Sequence, residues 1–149
     1  MTTICDLREL SKAITKGQKA LPKGGRLKTL PVLNMVSLRG VNSHVEVVST
    51  DLERWARGTC RAIAQDRSGD DKGWSICIDP RGLKGWLAAW EVKGKGIREV
   101  TLGISKKGET LIVEYTDSPG LSAIATFKGI SGQEFPHIDF ENDKDREVR

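Results

Sequence analysis

Twice along the chain a short β-prone run stops at an aspartate and gives way to a two-faced helix, and this repetition narrows the choice of fold most. The first run, Thr2 to Cys5, ends at Asp6, whose carboxylate is suited to accept from the amides of the next turn. The second, Trp74 to Ile78, ends at Asp79-Pro80, where proline suits the first helical position because its missing N–H has no helical partner to lose. Three strand-like stretches follow each helix. After the first they are Pro31 to Leu38, the alternating Val45, Val47 and Ser49 set with a turn around Gly40 to Ser43, and Trp55 to Ala64. After the second they are Val100 to Ser105, Leu111 to Tyr115 and Leu121 to Phe127, with turns at Lys106 to Gly108 and Asp117 to Gly120. Gln65 to Gly73, rich in charge and glycine, reads as an exposed loop between the halves. The order is β-α-β-β-β, twice, with no matching sequence period behind it. It predicts an α+β domain in which strand faces pack under two helices, with the helices on one face and the sheets outside.

The helix faces carry the functional signal. From Leu7 to about Leu21, the apolar Leu7, Leu10, Ile14 and Leu21 fall in one sector at about 100° per residue, and Lys12, Lys16, Lys19 and Lys23 fall opposite. Pro22, Gly24 and Gly25 end the helix. In the second helix Leu83, Trp86, Leu87 and Trp90 make the apolar stripe, opposed by Arg81, Lys84, Gly85 and Ala88. Packed side by side, two such helices give one surface with a shared positive field.

Charge distribution supports this more than net charge does. The 149 residues carry a formal +4, from 24 Lys and Arg against 20 Asp and Glu. Asp139 to Arg149 holds five acids and three bases, so the remainder carries 21 bases against 15 acids, or +6. Between Leu7 and Lys28, Arg8, Lys12, Lys16, Lys19, Lys23, Arg26 and Lys28 are opposed only by Glu9, a local field of the kind that attracts nucleic acid. The length suits one domain with a core that needs no disulfide or metal. Cys5, Cys60 and Cys77 form no CxxC pair, and His44 and His137 add no ligand set, so neither zinc nor a disulfide framework is indicated and no cofactor is expected. Sparse thiols, no signal-peptide pattern at Met1 to Asp6 and no apolar run of bilayer length read as a soluble, cytoplasmic protein with no membrane partner.

Three motifs occur together in order: Thr29-Leu30-Pro31-Val32-Leu33, Thr50-Asp51-Leu52-Glu53 and Gln133-Glu134-Phe135-Pro136. With these, and with a Gly24-Gly25-Arg26 approach to the first of them, the chain resembles the first domain of the bacterial DNA polymerase III β sliding clamp from Met1 to about Ile138. The resemblance implies a domain of two β-α-β-β-β units, a ring with helices lining the hole, and a tether for polymerase that catalyses no reaction. Partners implied are double-stranded DNA, DNA polymerase and clamp-loader proteins, and further copies or other subunits to complete a homo-oligomeric ring. Arg26 matches the family's basic loop after the first helix, with Leu27 and Lys28 lengthening the link to Thr29 by one residue. Clamps of the family carry three such domains per chain, and their third supplies most of the partner-peptide cleft, to which nothing in this sequence is assigned.

The expected organisation is one clamp-type domain over residues 1–138 and a charged tail or linker over 139–149. The expected DNA contacts are Lys12, Lys16, Lys19, Lys23, Arg26, Arg81 and Lys84, set against the alternative of an ordinary solvated helix face. A rival reading keeps the fold but makes the domain a non-ring-forming adaptor for a replication or transcription protein. An enzyme using Asp51 and Glu53 as paired carboxylates is the weakest reading, because an Asp after a strand commonly caps a turn. Trp86 and Trp90 are better placed for a core than for base stacking, and Cys60 and Cys77 read as core thiols. Phe135-Pro136 is expected to dock the final segment, and Glu141 to Arg149 is too polar to bury.

Overall fold

The computed structural model describes residues 2–22, 31–66 and 73–149. The first half runs β1 (Thr2–Asp6), α1 (Leu7–Gly17), β2 (Val36–Val41), β3 (His44–Thr50) and β4 (Trp55–Asp66). The second runs β5 (Trp74–Ile78), α2 (Pro80–Lys93), β6 (Arg98–Ile104), β7 (Thr110–Asp117), β8 (Ser122–Lys128) and a two-residue β9 (Ile130–Ser131). The doubled β-α-β-β-β order is therefore present, in an α+β domain, with β9 a strand that sequence reasoning did not foresee.

Strands adjoin antiparallel in the order β8-β7-β6-β1-β4-β3-β2-β5-β9, and the pairing repeats the internal duplication. β4 holds β3 with its first half, from Thr50↔Trp55 to His44↔Arg61, and β1 with its second, from Cys5↔Ala62 to Thr2↔Asp66. The change of partner is why β4 continues to Asp66, beyond the Ala64 end expected from the sequence. β8 and β9 do the same in the second half: Ser122 to Lys128 pair with β7, and Ile130 and Ser131 with β5. Gly129 stands at the break, where a Cβ would run into the carbonyl oxygen of Cys77. The pairs β1–β6 and β2–β5 join the two halves.

Local chemistry explains the helix boundaries. Asp6 caps α1 by accepting from the Glu9 amide at 3.0 Å, and Asp79 caps α2 by accepting from that of Arg81 at 3.0 Å. α1 ends at Gly17, a turn short of the expected Leu21. Its end is pressed on β3, where a Cβ on Gly17 would meet Val47, and the chain beyond turns so that the Ala20 amide donates to Ser49 Oγ at 3.0 Å. Pro31 to Asn34 form a 3-10 turn closed by Met35 N–H to Val32 O at 3.2 Å, so the strand expected over Pro31 to Leu38 begins only at Val36.

The core is shared by both helices and both halves of the sheet: Leu7, Leu10, Ala13 and Ile14 of α1 and Leu83 and Leu87 of α2 join strand residues in one buried cluster. Each large aliphatic side chain buried there contributes roughly 1.5–3 kcal/mol. The two seats differ. α1 lies so close to the sheet that a Cβ on Gly58 of β4 would collide with the Ala13 carbonyl. α2 stands on aromatic rings, with Trp90 stacked on Tyr115 at 4.6 Å and Trp86 edge-on to Phe127 at 6.5 Å, in keeping with a packing role for both tryptophans.

Residues 139–149 lie against the start of β4. Phe140 packs edge-on against Trp55 at 4.8 Å, and the Arg57 guanidinium lies 4.3 Å from the Phe140 ring centre. Trp55 Nε1 donates to the Asp143 carbonyl at 2.8 Å, and the Val148 amide donates to the Trp55 carbonyl at 2.7 Å. The segment is polar in composition, yet one aromatic ring and its own backbone groups suffice to hold it.

Two measurements test these contacts. Gly58→Ala should lower stability by about 1–3 kcal/mol in denaturant unfolding, since α1 has to lift to admit a methyl group; an unchanged midpoint contradicts the tight seat. Asp117 accepts from Tyr115 Oη at 2.8 Å and from the Leu121 amide at 2.9 Å. Desolvation raises its pKa, but these donors outweigh it and hold the carboxyl below its ordinary value, while burial and the Asp117 carboxylate push Tyr115 up to about 12. A depressed carboxyl stabilises the fold above its unfolded pKa and loses that contribution as pH falls through its folded one. Asp117→Asn should therefore melt below the parent at neutral pH, with the gap closing on acidification; a gap independent of pH contradicts this.

Candidate nucleic-acid interface

The outward side of α1 is made by the same periodicity that buries Leu10 and Ile14. Arg8, Lys12, Thr15 and Lys16 are exposed there, Ser11 is half-buried, and Lys19 is exposed on the turn just beyond the helix end. Lys19 therefore belongs to the basic face without belonging to the helix, a correction to the longer α1 expected from the sequence.

α1 and α2 lie side by side and run in opposite senses. The start of α1 meets the end of α2 through the ion pair Arg8 Nε to Glu91 Oε1 at 3.3 Å. At the other end Gln18, Lys19 and Leu21 share a cleft with Pro80 and Arg81. Between the helices runs a groove of about 490 Å³ lined by Arg8, Ser11, Lys12, Thr15, Lys16, Lys19, Lys84, Ala88 and Glu91. Four of the sequence-predicted residues, Lys12, Lys16, Lys19 and Lys84, thus come together from α1, the turn just beyond it and α2, with strands β2 to β5 between them in the chain. Among the groove's nine residues, five are basic and one is acidic.

Arg81 is placed differently. Its guanidinium grips Asp79, with Nη2 to Oδ2 at 2.6 Å and Nε to Oδ1 at 3.0 Å, so much of its charge is answered at the helix start. It lies at the end of the groove instead of lining it. Lys12 has a longer approach to Glu9, 3.9 Å, between two exposed side chains, an interaction of little energy in water. Lys23 and Arg26 lie outside the described residues. Arg8 and Glu91 are the charged groove residues that sequence reasoning did not assign to the site; they are 83 positions apart, and only the packing of the helices brings them together.

Asp51, one of the two carboxylates weighed for acid/base work, caps a turn. Asp51 Oδ1 accepts from the amides of Glu53 at 2.9 Å and Arg54 at 2.7 Å. Desolvation raises the Asp51 pKa, but those amides and the Arg54 charge outweigh it and hold the carboxyl below its ordinary value. Among the described residues, no three His, Cys, Asp or Glu side chains lie close enough to hold a metal ion. No helix there is long and apolar enough to cross a membrane.

No sequence-family model matches the chain, and no curated protein matches it in sequence. Solved structures do match in shape. The DNA polymerase III subunit beta of Pseudomonas aeruginosa superposes with a TM-score of 0.68 at 16% identity, over 93% of this chain and 32% of that one. The DNA polymerase sliding clamp of Caulobacter crescentus gives 0.68 at 16% identity, over 93% and 33%. The beta subunit of Thermotoga maritima gives 0.66 at 19% identity, over 93% and 32%. The chain spans about a third of the length of these structures, and it has the fold of a single domain of the DNA polymerase III beta sliding clamps.

Proposed function

We propose that this domain holds duplex DNA without reading its sequence, as one segment of a sliding clamp that keeps a polymerase on its template in replication or repair. The observation that carries the reading is the convergence of Lys12, Lys16, Lys19 and Lys84 on one groove between the two helices of a clamp-type fold. Lysine suits the task. Its ammonium is a compact point charge on a mobile stem, so it can pass from phosphate to phosphate while the duplex slides, and it makes no demand on the base edges that carry sequence. In this reading Arg8 and Glu91 fix the helix pair, Arg81 marks the end of the track, and Lys23 and Arg26 are further candidate phosphate contacts. The partners are double-stranded DNA, a DNA polymerase and its clamp loader, met in the cytoplasm. The sheet faces away from the DNA, and further copies of the chain or other subunits complete the enclosure. The domain binds and positions; it transforms nothing.

Binding to a duplex of arbitrary sequence should be measured against salt. Lys12→Ala combined with Lys16→Ala should weaken it and reduce the slope of log K against log salt by about 2, one for each phosphate that is no longer neutralised. A slope and affinity equal to the parent's would remove the groove from the DNA interface. Glu91→Gln, which deletes the acid lining the groove, should tighten binding a few-fold at low salt; weaker binding would mean that the Arg8–Glu91 pair matters more for helix placement than as a charge facing DNA.

A further inference from the structure

We infer that the cleft on the outer face of the sheet is a binding site for a free α-amino acid with an apolar side chain, held through both its charges by Glu46 and Arg39. The cleft, of about 440 Å³, lies between β2 and β3 and the segment from Gly132 to Phe140. That volume is of the size that takes a small ligand. Side chains alternate along a strand, so while Leu38, Val45 and Val47 join the core under the helices, Arg39, Glu46 and Val48 face the other way. Duplex DNA on the helix layer would leave the cleft open, and the inference does not rest on the DNA-holding reading.

What points to a ligand is an ion pair left incomplete. Arg39 and Glu46 stand directly opposite in the β2–β3 ladder. Their side chains meet only at 4.0 Å, Nη1 to Oε1, and Arg57 Nη1 approaches Oε2 at 3.9 Å. Neither distance is a hydrogen bond. Glu46 Oε1 is buried with no hydrogen-bond partner among the described residues, a costly state for a carboxylate oxygen. Arg57 is engaged elsewhere, its guanidinium lying 4.3 Å from the Phe140 ring centre, whereas the Arg39 side chain is 46% exposed and has room to turn outward.

The pair selects the charges of the ligand. An amine alone would set a third cation beside two guanidiniums, and a carboxylate alone would face Glu46. An α-amino acid carries both signs on one carbon: its ammonium donates to Glu46 Oε1 as Arg39 turns outward to take its carboxylate in a two-pronged bond. The amide of a peptide chain has neither charge. The ligand's side chain then lies along Val48, Trp74 and Phe135, apolar walls of the same cleft.

Titration of L-phenylalanine into the full chain, followed by backbone amide NMR shifts, tests this. Shifts should centre on β2, β3 and residues 132–140 and saturate with a dissociation constant of about a millimolar or tighter. N-acetyl-phenylalanine and phenylalaninamide, each lacking one charge, should bind at least about tenfold more weakly. That comparison uses the parent chain and needs no variant to fold. Glu46→Gln and Arg39→Ala should each weaken phenylalanine binding to a similar extent, while Lys12→Ala combined with Lys16→Ala leaves it unchanged. No saturable shift, shifts centred on the helices, or binding indifferent to Glu46→Gln and Arg39→Ala overturns the inference. A phenylalanine blocked at both ends that binds as well as the free amino acid also overturns it, and would make the cleft a seat for a peptide chain.

Discussion

The basic groove depends on how closely α1 lies on the sheet. The Ala13 carbonyl sits over Gly58 and Gly17 sits over Val47, in positions where any side chain on either glycine would lift the helix. That closeness fixes α1 in rotation and height, which presents Lys12 and Lys16 outward and brings Arg8 within reach of Glu91 on α2. The second helix is seated by a different device, a set of stacked and edge-on rings from Trp86, Trp90, Tyr115 and Phe127. Two dissimilar seats thus hold two helices in one layer, an arrangement consistent with a duplicated fold whose halves share no sequence period.

The electrostatics follow from that layer. Single exposed lysines are weak attractors in salt, and any one of these would pass for an ordinary solvated residue. Four of them around one groove, from α1, the turn beyond it and α2, with Arg8 partly answered by Glu91, constitute a field that no single helix makes. Arg81 shows the opposite outcome: it is equally basic in sequence, but its guanidinium is bound to the aspartate that caps its own helix.

What was legible in the sequence is what local chemistry dictates. The caps at Asp6 and Asp79, the outward lysines of α1, the turns at Lys106 to Gly108 and Asp117 to Gly120 and the doubled element order all rest on neighbours in the chain. Tertiary effects set the rest. α1 stops early because Gly17 meets β3, β4 runs long because its far end is needed by β1, and Pro31 to Asn34 coil because a 3-10 turn closes there. The hold on residues 139–149 was hidden because composition reports polarity, whereas the segment is kept by Phe140 against Trp55 and by backbone groups that every sequence has. Glu91 escaped notice as part of the site because its partner Arg8 belongs to the other helix.

The central claim is that DNA lies against the helix layer and not against the sheet. Lysine-reactivity footprinting with mass spectrometry, with and without duplex DNA, tests it directly. Lys12, Lys16, Lys19 and Lys84 should be protected by DNA, while the exposed Lys106 and Lys107 of the β6–β7 turn and Lys128 on β8 stay reactive. Protection spread evenly over all seven, or confined to Lys106, Lys107 and Lys128, would contradict the account.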